Sequence, residues 1–576
     1  MEINNFKCKQ CPQGAICLNG KLRPRPGYWG TRINEEYIFF LCPRSYCCMS
    51  SVCSFQHPCS YHRTGKLCGR CKEGYSLSLL SDECITNNQC TDTWVWSFLP
   101  LIVTTYVLWF SFKDTVKYSS KVFLHKMLKA KTKLFDTKMI SGTKMDLNGG
   151  YWAVLVHFVQ VKSIVQLDHF YATDKYIASL ENIMSWVFSI NPLKFTTAAC
   201  PIEDLKAAQK LLVGFVLVVS FYFVWVIFYG CLKLIYKAFY FHLRVECKTN
   251  NMVNKIIKYA ALCVILITKY TYISLVEICF LSLTCVEIDE QKYWKFDGEV
   301  QCFTSHQQFF LVILTTHILT FPISLTLANI CLKTKIISAT GFVVACIFPL
   351  AFILYILCLI INQKITQPKD GKCTNKLTNR LSQLKKAENI ASKNTLWQIL
   401  NSFTTESNRH GHENETKNSL SIQFSKSQKV SNMASAILRY LHDPYNCQVR
   451  PICWESVLVF RKLVIALSIF INNMILRYIY IGIISIGILL LQNLIKPFKE
   501  RKVNFMETFS LVLITIIVNI NAIKACFVTI GINFVGPLKI ILSFISTAEI
   551  SLVLIFFMVS IISSVIPAKW WEICSK

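Results

Sequence analysis

Ten stretches of mainly apolar residues punctuate the chain, at 94–112, 151–170, 211–235, 257–285, 308–331, 337–361, 454–472, 478–495, 508–523 and 537–566. Most are long enough to cross a hydrocarbon layer of ~30 Å at about 1.5 Å of rise per residue. Lipid offers the backbone no hydrogen-bond partners, so a spanning segment is either a helix or part of a closed barrel. Barrel strands would alternate with period two, and these stretches do not. The pattern therefore predicts an all-α transmembrane bundle of nine or ten membrane segments. Residues 1–92, poor in Leu, Ile and Val, form a separate small domain of loops and strands, and 93–361 and 454–576 carry the helices. Between them lies a polar loop, 362–453. Its first part, 374–402, has helical spacing through Leu377, Leu381, Leu384 and Leu400, whereas 403–432 is a Ser, Asn, Lys and His stretch without periodicity, expected to be disordered.

Charge adds a direction to this pattern. Residues 113–150 hold nine lysines against three aspartates, and 234–256 are also basic, so both belong on the cytosolic side. The acidic 286–306 loop belongs outside, which puts the N-terminus outside as well. The short basic run Lys496-Pro-Phe-Lys-Glu-Arg-Lys502 belongs inside, and it takes 362–453 with it. That requires an odd number of crossings before residue 362, yet six apolar stretches precede it. Either segment five or six, which contain Pro322, Gly341 and Pro349, fails to cross, or all ten cross and 362–453 is outside, where Asn414-Glu-Thr416 is a glycosylation sequon. Nine crossings are expected, because short basic loops report orientation better than long ones.

With 53% apolar residues and a mean hydropathy of +0.41, the chain exceeds the apolar share of about 45–50% usual in soluble proteins. The net charge of +28 is then read as basic loops against anionic lipid, not as a nucleic-acid surface. No HExxH, GxSxG or P-loop pattern is present, and no enzyme activity, cofactor or metal centre is expected.

Twelve cysteines fall within the first 90 residues: Cys8, Cys11, Cys17, Cys42, Cys47, Cys48, Cys53, Cys59, Cys68, Cys71, Cys84 and Cys90. An even count at this density, without apolar residues enough for a core, predicts a domain held by disulfides in an oxidising space. Zinc held by the Cys8/Cys11 and Cys68/Cys71 pairs is the alternative. Cys285 and Cys302 flank the acidic loop and either close a disulfide over it or leave Cys285 as a membrane-edge thiol. Met1 is followed by Glu-Ile-Asn-Asn, without the basic and apolar regions of a signal peptide. Either the first helix exports the tail or the natural chain begins upstream, and the second is expected.

An ionisable group inside a membrane helix costs about 2.5–3.5 kcal/mol on insertion scales, so each such residue is a candidate for function. His157, Gln160 and Lys162 lie in segment two, Lys269 and Glu277 in segment four, His317 in segment five, Asn519 and Asn521 in segment nine, and Glu549 in segment ten. They read either as the lining of a permeation or ligand path or as ordinary helix-to-helix hydrogen bonding. Arg461 and Lys462 are expected to snorkel to the cytosolic interface, with Glu455 as a partner. A lipid-headgroup site that joins them to Lys496, Lys499, Arg501 and Lys502 is the sharper alternative.

Four ectodomain runs, Cys11-Pro-Gln-Gly-Ala-Ile-Cys17, Arg25-Pro-Gly-Tyr-Trp-Gly30, Cys42-Pro-Arg-Ser-Tyr-Cys-Cys48 and Thr64-Gly-Lys-Leu-Cys-Gly-Arg-Cys71, are followed by Cys200-Pro-Ile-Glu, Phe296-Asp-Gly298, Cys346-Ile-Phe-Pro-Leu350 and Trp454-Glu-Ser-Val-Leu-Val-Phe-Arg-Lys462. This succession resembles a family of uncharacterised invertebrate multi-pass membrane proteins whose Cys-rich ectodomain is similar to EGF-like and ephrin-receptor modules. The segment around Trp454–Lys462, the basic loop and Met506-Glu-Thr-Phe-Ser510 are also loosely similar to TRP-like membrane proteins. The first resemblance implies a receptor-like protein of the plasma membrane, with an extracellular N-terminus that binds a ligand or protein. The second implies a channel or other permeation protein, and passive adhesion is a third reading. Neither resemblance assigns a role to a residue.

Overall fold

The structure is a computed structural model that describes residues 10–18, 21–43, 45–48, 55, 57–108, 149–165, 199–243, 249–365, 432–442, 444–446, 453–530, 544, 547–548 and 551–560. It consists of apolar helices joined to a small, disulfide-rich strand region at the N-terminus. Cys8, Cys53, Glu549, the sequon at Asn414 and the 374–402 repeat lie outside the described residues.

Among its described residues the N-terminal region contains four short antiparallel hairpins. Strands β1 (Ala15–Leu18) and β2 (Lys21–Pro24) pair, as do β3 (Tyr28–Ile33) and β4 (Glu36–Leu41), β5 (Arg63–Thr64) and β6 (Arg70–Cys71), and β7 (Tyr75–Leu77) and β8 (Cys84–Thr86). Disulfides join Cys11 to Cys17, Cys42 to Cys47, Cys59 to Cys68 and Cys71 to Cys84, and Cys48 is disulfide-bonded too. Of the thiols considered for zinc, Cys11, Cys68 and Cys71 are thus taken up by three separate disulfides. The centre of the region is sulfur and aromatic rather than aliphatic: Cys42, Cys47, Cys68 and Tyr46 are buried, with Trp29 and Phe296 packed on them. Arg63 lies over the Tyr46 ring at 3.5 Å, and burial pushes the Tyr46 phenol up to about 12, so the cation rests on a neutral ring.

The helices are α1 (Trp94–Leu108), α2 (Gly149–Val165), α3 (Ala207–Leu243), α4 (Thr249–Leu283), α5 (Ser305–Ile313), α6 (Phe321–Lys333), α7 (Ala339–Ile347), α8 (Pro349–Ile365), α9 (Asn432–His442), α10 (Trp454–Ala466), α11 (Met474–Ile495), α12 (Arg501–Ile530) and α13 (Ser551–Ser560). Among the described residues, five helical stretches are long and apolar enough to cross a membrane: Ala207–Leu232, Leu262–Leu283, Ser305–Lys333, Met474–Ile495 and Arg501–Phe527. These correspond to five of the ten expected segments. Four others appear as shorter apolar helices, and the stretch from 454 becomes α10 followed by a 3-10 turn at Leu467–Phe470.

The helices group into two compact units, residues 1–319 with 458–576, and residues 320–457. In the first, α4 is the central helix, buried along most of Leu262–Leu283, with α3 and α5 against it, while α11, α12 and α2 pack together. Proline and backbone chemistry interrupt the fifth and sixth apolar stretches. After α5 the chain makes one π-helical turn, Leu314–Ile318, and the Tyr272 hydroxyl donates to the Ile318 carbonyl at 3.0 Å. In the second unit, α7 and α8 are divided at Phe348, immediately before Pro349, whose ring cannot continue the preceding helix. There α6 packs on α7 and α8, and α9 is held to α6 by a bond of 2.8 Å between His442 Nε2 and Asn329 Oδ1.

One disulfide departs from the expected pattern: Cys90 bonds Cys200, 110 residues later, instead of a cysteine within 1–92. The reason is geometric, since Cys90 closes the last N-terminal turn beside α1 and the 199–205 segment runs back across that turn. The chain-entropy model assigns such a loop about 4–5 kcal/mol, and typical measured values are about 2–4 kcal/mol. Non-reducing digestion of the purified protein should therefore release a peptide pair containing Cys90 and Cys200, and Cys200→Ser should lower thermal stability by an amount in that range. A Cys90 found crosslinked within 1–92 would overturn the assignment.

Candidate functional site

Two places concentrate chemistry that a simple helical bundle does not need. The first is the junction where the Cys-rich region meets the segments leading into α3 and joining α4 to α5. Beside the Cys90–Cys200 bond, residues 199–205 are laced onto 76–92. Leu79 donates to the Ala199 carbonyl at 2.9 Å, Cys200 N–H to Asp92 Oδ2 at 2.9 Å, Asp204 N–H to Ser76 Oγ at 2.7 Å, and Leu77 N–H to the Leu205 carbonyl at 3.3 Å. The apolar core of this end joins both parts: Leu79, Leu80, Val95, Leu99, Ala199 and Leu205 are buried together, with Val213 and Leu217 of α3 against them. Lys210, near the start of α3, pairs with Asp82 at 2.9 Å.

On the other side, β9 (Cys285–Ile288), β10 (Gln291–Trp294) and β11 (Asp297–Gln301) form a three-stranded antiparallel sheet closed by the Cys285–Cys302 disulfide. Of the two sequence readings for Cys285, the disulfide is the one observed. Trp294, fully buried, donates to the Leu281 carbonyl at 3.0 Å, and Gln307 donates to the Ser282 carbonyl at 2.8 Å, so the sheet is tied to the end of α4. The Cys-rich region sits directly on this sheet. Arg70 pairs with the buried Asp297 at 3.1 Å, Lys66 Nζ lies over the Tyr293 ring at 3.9 Å, and Lys66 N–H donates to Glu299 at 3.4 Å. Two glycines permit the approach. A Cβ on Gly69 would lie 2.8 Å from Asp297 Cα, and one on Gly298 would lie 2.5 Å from the Lys66 carbonyl oxygen. Both obstructions are backbone and cannot swing aside.

The second place is a buried polar cluster between helices. Arg461 of α10, 3% exposed, pairs with the fully buried Glu507 of α12 at 3.1 Å and donates to Gln492 Oε1 of α11 at 3.4 Å. Lys462, 2% exposed, donates to Gln160 Oε1 of α2, and Gln160 Nε2 donates to the Tyr270 carbonyl of α4 at 3.4 Å. Arg477 and Tyr478 of α11 donate to the carbonyls of Ile164 and Val165, which end α2 as described. His157, Gln160 and Lys162 are all buried on α2, and Lys269 and Glu277 are half-buried on α4.

These placements change the sequence reading of Arg461 and Lys462. They do not lie at an exposed interface, because their stretch of α10 is packed among α2, α11 and α12, where Gln160, Gln492 and Glu507 receive them. Glu455 is instead the acceptor for the buried Tyr445 hydroxyl at 2.9 Å. Lys496, Lys499 and Arg501 are exposed and Lys502 is half-buried, so the described structure does not gather them with Arg461 and Lys462. His317 is half-buried in the π turn. Asn519 is exposed and donates to its own helix at the Thr515 carbonyl, whereas Asn521 is buried with neither side-chain atom bonded. Sequence reasoning missed Glu507, Gln492, Asp297, Arg70 and the paired glycines. Glu507 begins a long apolar run and could have been singled out by the cost of ionising it there.

Comparison of the chain with protein-family models, with curated proteins and with solved structures returns no match.

Removing one member of a buried ion pair leaves an uncompensated charge and costs about 3–5 kcal/mol, whereas replacing both by apolar groups is often neutral. Glu507→Gln should accordingly destabilise the purified protein in detergent by about that amount. The double change Arg461→Met with Glu507→Leu should recover most of it. Equal losses in the single and double variants would show that the two side chains do not act as a pair.

Proposed function

We propose that the protein is a receptor-like multi-pass protein of the plasma membrane, whose extracellular Cys-rich domain binds a ligand or protein partner and transmits that event to the helices. The observation that carries this reading is the junction. The domain is fastened by a disulfide and backbone hydrogen bonds to the segment that enters α3, and by an ion pair and a glycine-mediated backbone contact to the sheet joining α4 and α5. A passive adhesion module needs only a tether. Here a displacement of the domain must strain two helix ends at once, which is what a receptor requires.

The disulfides support an oxidising, extracellular setting for the N-terminal region. The break of the sixth apolar stretch at Phe348–Pro349 supports nine crossings, with α7 and α8 as a segment that enters without traversing. Membership of the invertebrate multi-pass family with an EGF-like or ephrin-receptor-like ectodomain belongs to the same proposal.

The polar cluster favours a second reading, in which the bundle is a TRP-like channel or another permeation protein. Purified protein in planar bilayers would then carry current that changes on substitution of Lys269 or Glu277, and electrical silence under varied ions and voltages would count against it. The receptor reading makes a different demand. Screening extracellular proteins against cells bearing the full chain should yield a binder that alters amide exchange in 199–206 of the wild type. A binder that leaves 199–206 unaffected in the wild type contradicts transmission through the junction.

A further inference from the structure

We propose that the buried cluster between α2, α4, α10, α11 and α12 is a binding site for a small inorganic anion of the halide class. All five helices are linked by direct hydrogen bonds. Lys462 reaches Gln160, which lies one helical turn beyond His157, and Gln160 in turn reaches the backbone of Tyr270, next to Lys269. Arg461, adjacent to Lys462, carries the connection to Gln492 and Glu507. The charges of Arg461, Lys462 and Lys269 all act on His157, and the same three act on Glu507.

The second observation is that this setting leaves polar atoms unused. His157 is 2% exposed and neither ring nitrogen has a hydrogen-bond partner; Gln492 is 1% exposed and its Nε2 has none. A buried donor left in this state costs about 1–3 kcal/mol, so two such groups on helices joined by one chain of hydrogen bonds call for an occupant. The field of three cations repels a metal ion or an ammonium group. An anion is favoured by the same field, and the imidazole N–H and the Gln492 amide N–H are the kind of donors that hold one. Glu507, whose Oε1 pairs with Arg461 and whose Oε2 has no partner, sets one negative charge against the three cations that act on it. A monatomic anion accepts from converging donors in any orientation, which suits groups that arrive from separate helices.

The experiment uses the full-length protein in detergent, with thermal unfolding followed in sodium chloride, sodium bromide and sodium gluconate at equal ionic strength. Chloride and bromide should raise the melting temperature by several degrees over gluconate, with saturation, and His157→Leu and Gln492→Leu should each abolish the difference. Crystals of the unaltered protein grown in bromide should show an anomalous peak beside His157, which tests the site without any variant. Equal melting in halide and gluconate would overturn the proposal. So would a halide effect that survives His157→Leu, or bromide crystals without that peak.

Discussion

The architecture depends on a covalent and hydrogen-bonded strap, residues 199–206, laid across the last turns of a domain that cannot fold around an aliphatic core of its own. The Cys-rich region has sulfur and aromatic rings at its centre, and the aliphatic cluster around Leu79 and Leu80 is completed by Ala199, Leu205 and the first turns of α3. A region this poor in Leu, Ile and Val buries too little surface to offset its chain entropy. Crosslinks reduce that entropy locally, but the Cys90–Cys200 bond does more: it makes the stability of the domain depend on the helices. The domain and the helix ends beneath it are therefore one mechanical object.

The same logic extends to the sheet between α4 and α5. Asp297 is buried, and it is the backbone-to-backbone approach at Gly69 and Gly298 that lets Arg70 reach it. A half-exposed ion pair contributes little by itself. Its value here is positional, since it fixes the register of two surfaces already pressed together by Lys66 on Tyr293 and Phe296 on Tyr46. Deeper in the molecule, Arg461 and Glu507 play a comparable role between α10 and α12, where a misplaced charge would be far more costly than at the surface.

Much of this was legible in the sequence, and the parts that were not share a cause. Hydropathy located the long helices, and cysteine density located the stapled region, because both signals are local in the chain. The acidic loop flanked by Cys285 and Cys302 offered the observed disulfide as one of two readings. Pro322 and Pro349 marked the stretches whose helices are interrupted, since a ring without an N–H acts at its own position. What escaped was long-range pairing. Nothing near Cys90 points 110 residues ahead, and an even count of twelve favoured closure within the domain. Arg461 and Lys462 read as interfacial residues because their distance from Trp454 was visible, while Gln160, Gln492 and Glu507, scattered over nearly 350 residues, were not recognisable as their partners. Gly69 and Gly298 are ordinary turn residues until their backbones are seen face to face.

Amide hydrogen exchange on the full-length protein, before and after mild reduction, tests the central claim most directly. The amides of Leu77, Leu79, Ala199, Cys200 and Asp204 should be protected together, and should lose protection together when the crosslinks are reduced. Protection of Leu77 and Leu79 that persists while the 199–206 strap exchanges freely would show that the Cys-rich domain stands alone, and would contradict the account.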